Sequence, residues 1–403
     1  MNQDTLKLLA PFVFVIAWLE FSLHNRSKYL ILATLFFTSL VAFSQNFVFI
    51  YREIHQGIQM VLILFSVRTL IKSKKILKFN RLFLIFLILI GISFIFSRFD
   101  EDARIQLVNL VVAITVTNFL YGSLNSVSRI KVVLKFIARI TIILSIIGLI
   151  EYAAISSERI EGTFANPNYY AFFLGIGYCF VFYSNKGVAK NLSLILILTA
   201  IVLSGSRAGL AFPLLQMIWH IYKSNNLKGF IVYGICGSIV ALGIAGSGVT
   251  RFSDASNSSE GSDAERIIFT RIAFQMAADH PFTGVGWGRY ISEFKNYSSN
   301  SEQIATSSGV IDASEQERRV THNDLTRILA ELGWIAFILS LISLIVGLLN
   351  IIRNKNSEME YILPLWLGTV IFSLTHNNLN SALFWFIFLM PFHFFSINKV
   401  DKL

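Results

Sequence analysis

His322 stands in the run Thr321-His322-Asn323-Asp324, directly before an apolar stretch of membrane length. Thr321 and Asp324 have the spacing of a capping box, which predicts that His322 falls on the first turn of the next helix. A helix N-terminus is positively polarised, so an imidazole there is expected to stay neutral near pH 7 and able to accept a proton. Arg207 lies in Ser204-Gly205-Ser206-Arg207-Ala208-Gly209. It offers a planar fork that grips phosphate oxygens two at a time, among neighbours small enough to admit a headgroup. Ser262 and Glu265 have the same capping spacing and start a predicted helix running to Asp279. Arg266 then sits near a helix N-terminus, where anions bind. Arg271 is about 140° further round that helix, so the two arginines do not readily serve one ligand. Arg318 and Arg319 add cations just before His322, and Arg159 lies in the turn Ser157–Asn168. A base among guanidinium groups suits a reaction in which a hydroxyl loses its proton while an anion develops nearby.

Each residue also has a bland reading, as an arginine snorkelling to headgroups or a histidine satisfied at an interface. What favours chemistry is that they share one side of a membrane. The chain is 54% hydrophobic and only 14% charged, which excludes an ordinary soluble domain. Apolar runs near the length of a bilayer recur throughout, without the alternation of a barrel strand. Membrane helices are predicted near 6–23, 29–50, 55–71, 82–97, 105–121, 132–152, 168–184, 191–204, 208–222, 229–248, 325–352, 361–375 and 379–396. The first is followed by Arg26 and Lys28 rather than a cleavage site, and is read as a retained helix.

The net charge of +10 does not indicate nucleic acid, because of where the charge falls. Lys72, Lys74, Lys75, Lys78 and Arg81 share one short loop, and Arg129, Lys131 and Lys135 another. Arg26 with Lys28, Lys186 with Lys190, Lys223 with Lys228 and Arg353 with Lys355 complete a set that the helix count puts on one side. The positive-inside rule makes that side cytoplasmic. The outer side then holds the turn with Arg159, the turn with Arg207, the polar segment from Arg251, and a last turn with His376, Asn377 and Asn378. The fold class is an all-α polytopic membrane bundle of about 12–14 spanning helices. It forms a single membrane domain over 1–403, with one long periplasmic loop, 249–324, containing short helices.

Other features carry less. Gly284, Gly286 and Gly288 alternate, but no strand precedes them, so a dinucleotide loop is rejected in favour of an interfacial turn anchored by Trp287 and Tyr290. Arg327 and Glu331 form an i, i+4 pair that helps to fix the last long helix. Lys295–Glu317 is polar without a clear period. Cys179 and Cys236 read as small core residues, and Glu20, Arg68 and Arg139 as scaffold.

Taken together, Arg159 to Asn168, Ser206-Arg207-Ala208-Gly209, Glu265-Arg266 leading into His280-Pro281-Phe282-Thr283-Gly284-Val285-Gly286, and His322-Asn323 with Gly333 beyond it resemble the O-antigen ligase and O-antigen polymerase superfamily of bacterial envelope polysaccharide assembly. The resemblance spans residues 157–336, and the first half matches in hydropathy only. It implies a metal-independent glycosyltransferase without cofactor, in the bacterial inner membrane with its site facing the periplasm. The donor implied is a glycan on undecaprenyl diphosphate, and the acceptor another glycan or lipid A-core. His322 corresponds to the family's essential histidine, Arg207 and Arg266 to its essential arginines, and Arg159 to a further basic residue near the donor. Asn323, Arg318, Arg319, Arg271 and Asn168 are expected in support, and chain-length regulator and flippase proteins as partners. Polymerase is the first reading and ligase the alternative. A transporter or flippase is the rival from another class, but no internal repeat is found and the charges gather at one face.

Overall fold

The computed structural model describes residues 3–43, 49–73, 81–96, 100–124, 126–155, 159–184, 187–224, 258–298, 303–306, 309–312, 320–353 and 360–393. In chain order the helices are α1 (Gln3–His24), α2 (Lys28–Ala42), α3 (Phe49–Ser73), α4 (Arg81–Phe96), α5 (Glu101–Ser123), α6 (Val127–Ile155), α7 (Pro167–Ser184), α8 (Gly187–Leu203) and α9 (Ala211–Ser224). They continue with α10 (Ser258–Asp279), α11 (Tyr290–Tyr297), α12 (Asp324–Arg353), α13 (Ile362–Ser373) and α14 (Ala382–Phe388). The helix expected over 229–248, with Cys236, lies outside the described residues.

Among the described residues, four helices are long and apolar enough to cross a membrane: Lys7–His24, Glu101–Ser123, Val127–Ala154 and Asp324–Arg353. Shorter apolar helices, among them Leu82–Ile95 and Gly187–Leu203, pack beside them. In hydrocarbon only a helix satisfies every backbone group of a lone apolar segment, which is why these runs are helical. The polytopic helical reading holds. One departure is a small antiparallel hairpin, β1 (Gln303–Thr306) with β2 (Gly309–Asp312), pairing Ile304 with Ile311.

The bundle has two distinct ends. At one, Lys223 pairs with Glu360 at 3.6 Å, Lys190 lies 3.7 Å over the Phe182 ring, and Lys131 and Lys135 share a cavity with Tyr183 and Tyr361. These are the basic loops of the topology argument. At the other, Glu161 pairs with Lys7, and the buried Glu151 accepts from the Glu161 and Gly162 amides at 3.2 and 2.7 Å. All the candidate site residues described belong to this second end.

The polar segment dips into the bundle there. α12 breaks at Gly333 (φ 78°, ψ −175°), so its first half ends one residue earlier and leaves its last carbonyls without helical partners. The 281–288 loop supplies them, with Val285 N–H on the Ala330 carbonyl at 2.9 Å and Gly286 N–H on the Glu331 carbonyl at 3.1 Å. In return Trp334 N–H binds the Pro281 carbonyl at 2.9 Å. Gly284 has φ 62°, and a Cβ there would lie 2.2 Å from the Glu331 carbonyl carbon, so only glycine fits. Trp287 and Tyr290 are therefore not interfacial anchors. Both are buried, Trp287 with its backbone N–H on Ser93 Oγ at 3.0 Å and the Arg327 guanidinium 4.8 Å over its ring. A small second core of Phe269, Ile272, Met276, Val285 and Phe294 binds α10 and α11 to this loop.

Gly284→Ala is expected to unfold this joint and lower the thermal midpoint of the detergent-solubilised protein. Gly57→Ala in α3, where nothing lies within 4 Å of the added carbon, should be neutral or gain roughly 0.5–1 kcal/mol. Equal midpoints for the two variants would contradict the packing described.

Candidate functional site

The site is built at the start of α12. The expected cap at Thr321 is not observed: Asn323 is the cap, its Oδ1 accepting from Leu325 N–H at 2.9 Å and Thr326 N–H at 3.2 Å. His322 consequently precedes the helix rather than lying on its first turn. Its φ of 52° places it in the left-handed region, unlike every other described non-glycine residue. Such a conformation costs on the order of 1–3 kcal/mol and persists only where neighbours impose it. Here the Thr321 hydroxyl hydrogen-bonds to the Asn377 side chain at 2.8 Å, while the His322 ring stacks on Phe269 of α10 with centroids 6.1 Å apart.

Asp324 holds the last turn of the chain in place. Its buried carboxylate accepts the Asn378 N–H on both oxygens at 2.9 Å and the Leu379 N–H at 3.3 Å. A carboxylate out of water needs such donors. The clamp brings His376 and Asn377 beside His322, and Tyr169 adds a hydrogen bond from its hydroxyl to the Asn377 carbonyl at 3.0 Å.

Arg159 comes from the second quarter of the chain. Its Nε donates to the Ser204 carbonyl at 2.7 Å and Nη2 to Asn168 Oδ1 at 3.1 Å, so the two outer turns clasp each other and Asn168 orients a guanidinium. Gly205 (φ 64°) allows that approach, since a Cβ there would sit 3.1 Å from Arg159 Nε. Arg207 follows in the same turn and is exposed. Arg266 is on α10 one turn before Phe269, the residue that His322 stacks on, and α10 begins at Ser258, ahead of the expected Ser262 cap. Arg271 is exposed further along α10, and Arg318 and Arg319 lie outside the described residues.

His376 reports where these charges meet. Burial, with the positive fields of Arg266 and His322 and a smaller one from Arg159, pushes its imidazole down to about 3 against the pull of the Phe372 carbonyl. Groups separated by more than two hundred positions in the chain therefore act on one ring. Arg159, Arg266 and His322 thus lie within electrostatic reach of His376, and Arg159 is held to the turn that carries Arg207 through the Ser204 carbonyl. Asn323 supports the site as a cap. Gln106 was not singled out in the sequence, and Asp324 was read there only as the capping partner of Thr321.

A polar cavity of about 140 Å³ lies between Thr321 and Asn377 on one side and Gln106, Asn380, Arg327 and Glu331 on the other. The expected Arg327–Glu331 pair is present at 3.0 Å and also reaches Gln106 Oε1 from Arg327 Nη2 at 3.0 Å. Asp100 caps α5 and takes Arg289 Nε at 3.1 Å. Burial works to raise its carboxyl, but the Ala103 amide, Ser292 and Arg289 outweigh it and hold it below the usual range.

Residues 192–341 match the family model described as O-antigen ligase. The matched stretch, rather less than half of the chain, is similar to that family. It covers Arg207, Arg266 and His322, and leaves Arg159, Asn168 and His376 outside. The family supports a glycosyltransferase-type activity of the O-antigen ligase and polymerase kind in a multi-pass membrane protein. No curated protein matches the chain.

Two outcomes test the geometry of this site. Asp324→Ala orphans two amide donors at roughly 1–3 kcal/mol each, and should lower stability and speed hydrogen exchange at Asn378 and Leu379. Unchanged exchange there would contradict the clamp. The unfolded chain protonates His376 near 6.5 whereas the folded ring stays neutral down to about 3. Its contribution to stability is therefore full above about pH 6.5 and is lost as pH falls, by up to ~1.4 kcal/mol per unit. His376→Gln should flatten that part of the stability curve, and an unaltered slope would contradict the assignment.

Proposed function

We propose that the protein transfers a glycan from undecaprenyl diphosphate to a sugar hydroxyl at the periplasmic face of the bacterial inner membrane, joining repeat units of a surface polysaccharide. The reading rests on one observation: arginines from separate elements converge with His322 at the bundle end opposite the basic loops. His322 takes the proton of the incoming hydroxyl. Its oxygen forms a bond to the anomeric carbon as the bond from that carbon to the diphosphate breaks. The diphosphate leaves with the bonding electrons, and its charge is met by Arg207, Arg266 and Arg159. Fixed cations aimed at a developing charge are an effective source of rate enhancement. A positioned general base contributes about 10²–10⁴-fold.

Strain at His322 is consistent with a side chain held for a task. A ligase that moves finished glycan to lipid A-core is the second reading, favoured by the description of the matching family. Both use the same proton and the same leaving group, so the site is common to them. A flippase is disfavoured, since the ionisable cluster gathers at one end rather than near the bilayer midplane. Chain-length regulators and flippases are partners consistent with this role.

His322→Ala should abolish transfer while the protein remains inserted and folded, and full activity in that variant would refute the base. Arg266→Lys should impair transfer by losing the two-point grip, despite the retained charge. In cells without the gene, surface lipopolysaccharide carrying a single repeat unit supports polymerase. Bare core with accumulated lipid-linked polymer supports ligase, and unchanged surface glycan overturns both.

A further inference from the structure

We infer that His376 is a hydroxyl-binding residue, its Nε2 accepting a hydrogen bond from a sugar hydroxyl of the glycan held at the arginine cluster. The inference rests on the transferase reading above and adds to it a contact with the saccharide rather than the diphosphate.

The tautomer of the ring follows from its neighbour. The Thr375 hydroxyl has one proton and donates it to the Phe372 carbonyl at 3.0 Å. Its oxygen lies 2.9 Å from His376 Nδ1, so that nitrogen carries hydrogen and donates to Thr375. In a neutral ring Nε2 is then a bare acceptor, and among the described residues no group hydrogen-bonds it. The low pKa derived above keeps this so throughout the physiological range.

The ring is also held still. It stacks on Phe372 with centroids 4.2 Å apart and planes within 7°, and the Tyr169 ring meets it at 6.1 Å and 62°. Its turn is the one clamped by Asp324, so the direction of Nε2 is fixed by packing and backbone together.

Apart from His322, which meets the incoming hydroxyl, the cluster is made up of donors. Arginine side chains are donors only, which suits a diphosphate but leaves the hydroxyls of the attached sugar without partners. Nearby acceptors are engaged: the Ser204 carbonyl and Asn168 Oδ1 by Arg159, and Asn377 Oδ1 by Thr321. Nε2 is not sealed away as an unsatisfied buried atom, so a ligand can reach it. A sugar hydroxyl pairs well with an acceptor that does not titrate.

The experiment uses the full-length protein in lipid nanodiscs, with the lipid-linked glycan extracted from cells lacking the gene as the substrate. It compares wild type with His376→Gln, His376→Asn, His376→Phe and His322→Ala, each checked for its thermal midpoint. Glutamine places its amide oxygen where Nε2 was, whereas asparagine reaches only the position of Nδ1. His376→Gln should stay within about threefold of wild-type kcat/KM, and the asparagine and phenylalanine variants should fall by about 10- to 100-fold, the scale of one hydrogen bond. The acid limb of the pH profile should persist in His376→Gln. Equal activity in the three His376 variants, equal loss in all three, or loss of the acid limb in His376→Gln overturns the inference. If His322→Ala is also fully active, the failure lies with the transferase reading itself; if it is inactive, only the role of His376 falls.

Discussion

A carboxylate in a place without water must be met by donors, and Asp324 is met by the backbone of another turn. Its two oxygens take the amides of Asn378 and Leu379, more than fifty positions away in the chain. That contact fixes the start of α12 against the last turn and sets His322, Asn377 and His376 side by side. Arg159 is fixed by a parallel device, held across the outer turns by the Ser204 carbonyl and Asn168. Removing water from the site is what makes both arrangements strong, because hydrogen bonds to charged groups gain in a low dielectric what they lose in exposed positions.

The same economy explains the polar segment. A helix broken at Gly333 presents bare carbonyls inside the bundle, and the glycine-rich loop closes them with its own amides. Arg327 and Glu331 neutralise each other there, and the pair is joined to α5 through Gln106 and to the loop through Gly288 N–H at 2.9 Å. The loop is thereby a wedge locked to α4, α5 and α12, and α10, which carries Arg266, is seated on that wedge through Phe269 and Met276. The position of Arg266 relative to His322 depends on this joint rather than on anything local to either residue.

Much of this was legible from residue order. Hydrocarbon leaves a chain few choices, so the apolar runs gave helix positions close to those observed, and Arg327–Glu331 followed from helical spacing. Pro167 opens α7, as its fixed φ suggests. What could not be read depends on contacts between distant segments. The cap moved from Thr321 to Asn323 because Thr321 is engaged with Asn377. Trp287 looked interfacial because nothing in its neighbourhood announces Ser93 or Phe86, which bury it. His376 was visible as a residue of the last turn, but its weight comes from the field of Arg266, Arg159 and His322, which only the assembled bundle creates. The hairpin of β1 and β2 is too short for a period to show.

The central claim is that guanidinium groups from separate elements hold one diphosphate. Its most direct test is binding of undecaprenyl diphosphate to the full-length protein in nanodiscs, measured for wild type, Arg159→Gln, Arg266→Gln and the double variant. If both arginines grip the same ligand, each single change weakens binding and the two effects are coupled by about 0.5–3 kcal/mol. Losses that simply add, or binding that neither change weakens, would contradict the shared site.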